Sequence, residues 1–193
     1  MHFIKSTVKN TLLAAAFSIA TFSASPVVAE EVYMIRGFMN VFSAGINQMT
    51  SRLKRHGIRA ISLSNGDWRD LAQRIIRRHK RGGVSHPIII VGHSLGGVEA
   101  PNFANTLGRA GVKVSLVIGL DPGFSTPVRF GPNISQVVNY KIPSGKHYRR
   151  GKGFTGSIRT IDVSRYGVDH VGIDKNRQVQ SLVISRIRSK VGK

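Results

Sequence analysis

Short unbroken apolar runs alternate along the chain with longer stretches whose apolar positions recur every three or four residues. Strands are predicted over 32–35, 60–64, 87–91, 112–120, 135–142 and 157–163; the early ones are the most continuously apolar, whereas 135–142 (SQVVNYKI) and 157–163 (SIRTIDV) mix polar and apolar residues. The periodic stretches predict helices. In 41–56, Phe42, Ile46, Met49 and Leu53 share one face, and Gly57 stands where a C-terminal glycine belongs. In 67–81, Asp67 can cap the start, Leu71, Ile75 and Ile76 line one side, and basic residues fill the end, as the helix dipole favours. A third helix is expected over 95–110, with a kink or reset at Pro101. A last helix over 176–190 carries Val179, Leu182, Val183, Ile184 and Ile187. Residues 145–159 (GKHYRRGKGFTGSIR) follow no period and are expected as a mobile, basic surface loop.

The early strands are continuously apolar, a pattern that places both of their faces inside the molecule. Strand and helix alternate. The predicted architecture is a single α/β domain, a mostly parallel sheet with helices on both faces, and right-handed crossovers. No internal repeat or low-complexity tract interrupts it.

The first residues do not fit this scheme. Lys5 and Lys9 precede an apolar run over 11–22 (TLLAAAFSIATF), too short for the roughly 20 residues of a bilayer-spanning helix. Small residues follow, with Val27 and Ala29 at the positions a signal peptidase reads. Residues 1–29 are therefore expected to be a secretory signal peptide and 30–193 the folded domain. The implied location is a bacterial periplasm or the medium. With no cysteine, the chain has no disulfides, lipid-anchor cysteine or thiolate metal site. The formal net charge of +20, less Lys5 and Lys9 after cleavage, points to an anionic environment. For an exported chain, an envelope surface ranks ahead of nucleic acid, which is not expected as a partner.

Candidate chemistry begins where the third strand meets the third helix, in Gly92-His93-Ser94-Leu95-Gly96. A serine on so sharp a turn is lifted clear of the sheet, and the glycines two before and two after remove side chains that would collide there. The Leu95 N–H then lies at a helix N-terminus, where developing negative charge is stabilised. A phosphate loop would need a Lys-Ser or Lys-Thr closure that is missing, and the glycine spacing is wrong for a dinucleotide loop.

A nucleophilic serine needs a base and an acid. His170 lies between the last strand and last helix, where a loop returns to the C-terminal edge of the sheet; His147, in the basic loop, is the other candidate. Helix-opening, terminal and in-helix positions account for Asp67, Asp70, Glu30, Glu31 and Glu99, leaving Asp121, Asp162, Asp169 and Asp174. Asp121 ends a strand expected beside that of the serine and is followed by proline; Asp169 reads as a turn residue. The predicted set is Ser94, Asp121 and His170, in which histidine takes the hydroxyl proton and aspartate orients the ring. Phe38 N–H, after the first strand, and Leu95 N–H are the expected oxyanion donors. Trp68, Phe124 and Phe130 are candidates for an acyl pocket or for the core. No metal or other cofactor is called for.

These residues resemble the α/β-hydrolase superfamily, and its lipase branch in particular. Gly92-His93-Ser94-Leu95-Gly96-Gly97 is similar to the lipase nucleophile elbow, Gly119-Leu120-Asp121-Pro122 to the acid segment of pancreatic-type lipases, and Ile35-Arg36-Gly37-Phe38 to their oxyanion segment, with Arg36 where histidine is usual. The resemblance implies a compact hydrolase with no large cap and an open site, acting on a small-molecule or lipid ester. The expected activity is that of an exported serine hydrolase cleaving carboxylic esters (esterase or lipase type, with thioesters less accessible outside the cell). The alternative is a non-catalytic basic protein that binds an anionic lipid or polymer on a hydrolase scaffold.

Overall fold

The computed structural model describes residues 30–38 and 43–193. The leader expected at 1–29 lies outside the described residues, as do Val41 and Phe42 at the start of the first expected helix.

Six strands and four helices follow one another as the hydrophobic pattern predicts. They are β1 (Glu31–Ile35), α1 (Ala44–Arg55), β2 (Ala60–Leu63), α2 (Trp68–His79), β3 (Ile88–His93), α3 (Leu95–Arg109), β4 (Leu116–Leu120), β5 (Gln136–Lys141), β6 (Ser157–Asp162) and α4 (Arg177–Val191). All neighbouring strands pair in parallel, in the order β2-β1-β3-β4-β5-β6. One core lies between the sheet and α2 and α3, around Tyr33, Ile88, Ile90 and Phe103. The other lies beneath α1 and α4, around Met34, Ile89, Ile118 and Val183. Alternate residues of β1 and β3 thus enter opposite cores, which is why these strands show no polar face. This is the single-domain α/β-hydrolase architecture.

The chain turns outward from β1 to β2, then crosses back to β3 on the other side of β1. Strand order therefore reverses between β1 and β3, and the crevice at their carboxyl ends is where open α/β sheets hold ligands. Arg36 and Gly37 follow β1 at that point, and Ser94 follows β3.

Three local expectations change. Asp67 sits at the start of α2, but its carboxylate accepts the Ser64 N–H at 3.1 Å instead of a helix amide. Helix α3 continues through Pro101 without the reset that was the alternative to a kink there. Proline has no N–H to give the Gly97 carbonyl one turn back; the Tyr148 hydroxyl donates to that carbonyl instead, at 2.6 Å. The stretch 145–159 is correspondingly not a free surface loop. Tyr148 and Phe154 are buried against Phe130, with ring centroids 5.0 Å and 6.3 Å from it, while the basic residues between them face outward.

Candidate active site

At Ser94 the backbone takes φ 55° and ψ −121° between β3 and α3. Strand, turn and helix fold so tightly that a Cβ on Gly92 would lie 2.1 Å from the Gly96 carbonyl oxygen. A Cβ on Gly96 would lie 2.4 Å from that of Ile35 at the end of β1. Both glycines of the motif are thus required by backbone contact, and the second also joins the elbow to the loop after β1.

Three of the predicted residues meet here. Ser94 Oγ is 2.8 Å from His170 Nε2, and His170 Nδ1 is 2.7 Å from Asp121 Oδ2. A carboxylate only accepts, so Nδ1 carries the proton given to Asp121 and Nε2 is free to accept from the serine hydroxyl. The second carboxylate oxygen of Asp121 accepts the Ile142 N–H at 3.2 Å. The hydrogen bond to Asp121 holds the His170 imidazole above its ordinary pKa, against the opposing effect of burial. Two glycines that sequence reasoning passed over make room for the constellation. A Cβ on Gly123 would stand 2.7 Å from the His170 ring, and one on Gly145 would stand 1.8 Å from Asp121 Oδ1.

Beneath this line lies a second, buried histidine. His93 was expected to pack, not to act as a base, and it is 1% exposed. Its Nε2 is 2.9 Å from the His170 carbonyl oxygen, which can only accept, so Nε2 bears the hydrogen. Nδ1 then accepts from the Ser43 hydroxyl at 2.9 Å, and Ser43 Oγ accepts the Gly37 N–H at 2.7 Å. One chain of hydrogen bonds so ties the loop after β1 to the elbow and to the backbone of His170. Burial pushes the His93 pKa down, consistent with the neutral tautomer. Asp174, fully buried 4.0 Å away, is pushed up by burial; its Oδ2 accepts the Ile46 N–H at 3.2 Å at the start of α1. Gly45 permits that approach, since a Cβ there would meet the Asp174 carbonyl at 1.9 Å. Only the residue types were visible in the sequence; their partners lie 50 to 128 positions away.

The remaining candidates separate clearly. Leu95 is the first residue of α3, and Phe38 follows Gly37, whose Cβ position would be 3.1 Å from Ser94 Cβ. Among the described residues neither the Phe38 nor the Leu95 amide has a protein hydrogen-bond partner. Arg36 turns aside and donates to Ser64 Oγ at 3.0 Å. His147 is exposed and takes no part in the Ser94 line, and Asp169 accepts the Gly172 N–H at 2.6 Å in its own turn. Of the three aromatics, Trp68 and Phe130 belong to the core. Phe124 alone reaches the site, 73% exposed, with its ring 6.4 Å from His170 and 5.7 Å from Phe38. No group of three or more metal-ligating side chains occurs among the described residues.

The family described as lipase (class 3) matches residues 1–117, a span that includes the Ser94 elbow and ends before Asp121. Comparison with curated proteins finds no match. Among solved structures, Est1E from Butyrivibrio proteoclasticus superposes with a TM-score of 0.54 at 14% identity, covering 89% of this chain and 92% of its own. A protein described as a putative hydrolase of the α/β superfamily, from Xanthomonas campestris pv. campestris, gives 0.50 at 12%, covering 83% and 99%. The NocB thioesterase domain of the nocardicin cluster, solved as a covalent complex with a fluorophosphonate nocardicin G analogue, gives 0.50 at 12%, covering 86% and 95%. At these identities the likeness is one of fold.

Proposed function

The chain belongs to the class 3 lipase family, and from that premise we propose that it is an exported serine hydrolase that cleaves carboxylic esters through an acyl-enzyme on Ser94. The observation that supports this most directly is the unbroken line from Ser94 Oγ through both nitrogens of His170 to Asp121, mounted on a strained elbow. His170 Nε2 takes the hydroxyl proton as Ser94 Oγ attacks the acyl carbon. The proton then passes to the departing alkoxide, and water activated by the same nitrogen releases the acid. The Phe38 and Leu95 amides are the donors assigned to the oxyanion, each worth roughly 3 kcal/mol of transition-state stabilisation. Phe124 and Phe38 stand at the rim, where an acyl chain would pass.

The non-catalytic alternative is disfavoured by how much of the structure serves this one geometry. Gly123 and Gly145 leave room for His170 and Asp121 and have no such demand in a mere scaffold.

The test uses the purified protein without residues 1–29. Wild type should label with a fluorophosphonate probe and turn over short p-nitrophenyl esters, and Ser94→Ala should do neither. A wild-type protein that neither labels nor hydrolyses any ester refutes the proposal. Export is checked separately: N-terminal sequencing of protein recovered outside the cytoplasm should begin at Glu30.

A further inference from the structure

At the other end of the strands from Ser94, a groove of about 780 Å³ runs between the open edge of β2 and the outer face of α2. That volume falls in the range of small-molecule binding sites. Its lining takes in the starts of β1 and β2 and the second half of α2, and none of it belongs to the Ser94 site. Ile58, Ile61 and Leu71 form an apolar floor, and Ile61 is 45% exposed, large for an isoleucine on a strand. Among the described residues no strand covers this edge. Val32 N–H bonds the Arg59 carbonyl and Arg36 N–H bonds that of Leu63, so the peptide groups of Ala60 and Ser62 point away from β1, and Ala60 lies in the groove lining.

Around the apolar floor stand Lys54, Arg59, Arg74, Arg77, Arg78 and Arg81. Arg78 is committed, with its guanidinium bidentate on the buried Glu31 at 2.7 Å for each bond. Among the described residues, the other five have no acidic partner within 4.0 Å. Five unopposed cations around an apolar floor repel one another unless an anion joins them. A monocarboxylate would neutralise one of them. A phosphate monoester carries close to two charges and presents three oxygens to guanidinium forks.

We propose that this groove binds a phosphate-headed amphiphile, with its phosphate among Arg74, Arg77 and Arg81 and its acyl chain along Ile58, Ile61 and Leu71. The site is independent of ester cleavage at Ser94. It would keep the protein at an anionic lipid surface by holding the headgroup on the edge opposite the nucleophile.

The experiment is a calorimetric titration of Ser94→Ala protein with monomeric dioctanoyl phosphatidic acid, a background in which hydrolysis cannot contribute. Saturable binding is expected, with dioctanoyl phosphatidylcholine and inorganic phosphate each binding far more weakly. Arg74→Gln/Arg77→Gln should weaken binding by about tenfold or more, since two charge-assisted hydrogen-bonding groups are lost. Ile61→Asp should also weaken it. The control Lys152→Gln/Arg165→Gln removes two exposed charges elsewhere and should leave affinity within about twofold of the parent, a loss of screened long-range attraction only. Equal loss in the control, equal binding of the choline lipid, or no binding overturns the proposal. So does a silent titration with a dimer in sedimentation that Arg74→Gln/Arg77→Gln dissolves, which would make the groove an interface between copies. In the Ser94-intact protein, Arg74→Gln/Arg77→Gln should hydrolyse short soluble esters at the wild-type rate, so failure of the groove and failure of the hydrolase proposal are distinguishable.

Discussion

Pro101 and Tyr148 lie 47 residues apart and are coupled through one carbonyl. Proline at position 101 deprives Gly97 of its helical donor, and Tyr148 supplies the replacement from the segment between β5 and β6. Removing that hydroxyl in Tyr148→Phe leaves the ring to fill the same space but strands the Gly97 oxygen in a buried setting. The expected cost is about 1–3 kcal/mol, the desolvation penalty of an unpaired buried acceptor. In Pro101→Ala the new amide can donate to Gly97 by the ordinary helical bond. Against that background Tyr148→Phe should cost no more than about 1 kcal/mol, because the carbonyl keeps a partner either way. A double-mutant cycle by urea unfolding, followed by circular dichroism at fixed pH, measures the difference. A coupling of about 1–2 kcal/mol is expected, within the span seen for residues sharing one network. Equal costs in the two backgrounds would refute the account of how α3 tolerates its proline. Because Gly97 lies in the first turn after Ser94, Tyr148→Phe should also lower ester turnover.

Three further outcomes follow from the site. Gly145→Ala must push Asp121 or its own loop aside by more than 1 Å; kcat/KM for short esters should fall by roughly 10²-fold or more with an unchanged circular dichroism spectrum, and near wild-type activity would contradict the packing described. Asp121→Asn should cost roughly 10⁴ in kcat, as loss of the orienting carboxylate does in serine proteases. The Asp121 hydrogen bond raises the pKa at which His170 becomes a usable base, so the acid limb of the residual kcat/KM profile should move to lower pH; a limb that stays in place would count against this pairing. His93 is held below its ordinary pKa by burial, so protonation favours the unfolded chain. Its contribution is present above about pH 6.5 and is lost as pH falls from there towards the folded value. The stability gap between wild type and His93→Gln should therefore narrow from pH 7 to pH 5 in urea titrations, and a gap that widens would mean His93 is charged in the folded protein.

Much of the fold is written in local pattern. Strands buried on both faces must be continuously apolar, so Ile88, Ile89, Ile90 and Val91 announce β3 without reference to anything distant. Ser94 is legible for a similar reason, since the glycines at 92 and 96 answer collisions within a few residues of the turn. Asp121 and His170 could be inferred from strand ends and chain order. What stayed hidden depends on where the chain recrosses itself. Nothing near Tyr148 records that Pro101 has freed a carbonyl for it, and the basic residues around it made 145–159 read as an exposed loop. Gly145 looks like an ordinary loop glycine until Asp121 stands against it. Trp68 and Phe130 have the composition of pocket residues, but burial within the α2–α3 core claims them. His93 is the instructive case: adjacency to Ser94 made packing the natural expectation, which holds, but its two hydrogen-bond partners join three separate loops.

The described chain holds three non-glycine residues at positive φ, and all three are at this site: Ser94 at 55°, Asp121 at 43° and Phe124 at 70°. Each such conformation costs on the order of 1–3 kcal/mol and persists only where the surroundings over-determine it. At Ser94 and Asp121 the sheet does so. Ser94 N–H bonds the Leu120 carbonyl at 3.0 Å, and its own carbonyl accepts from Val98 and Gly123 at 3.2 Å and 3.3 Å. Asp121 N–H bonds the Tyr140 carbonyl at 2.8 Å. Ser94 and Asp121 are therefore extensions of two neighbouring strands, β3 and β4, clamped by the same ladder that builds the core. His170 alone arrives on a loop with no strand beneath it, and there the His93 bond to its carbonyl and the Asp121 bond to its ring do the work that the sheet does for the others. Rigidity at Ser94 and Asp121 comes from secondary structure; at His170 it comes from two side chains, so His170 is where this site is most sensitive to substitution of its neighbours.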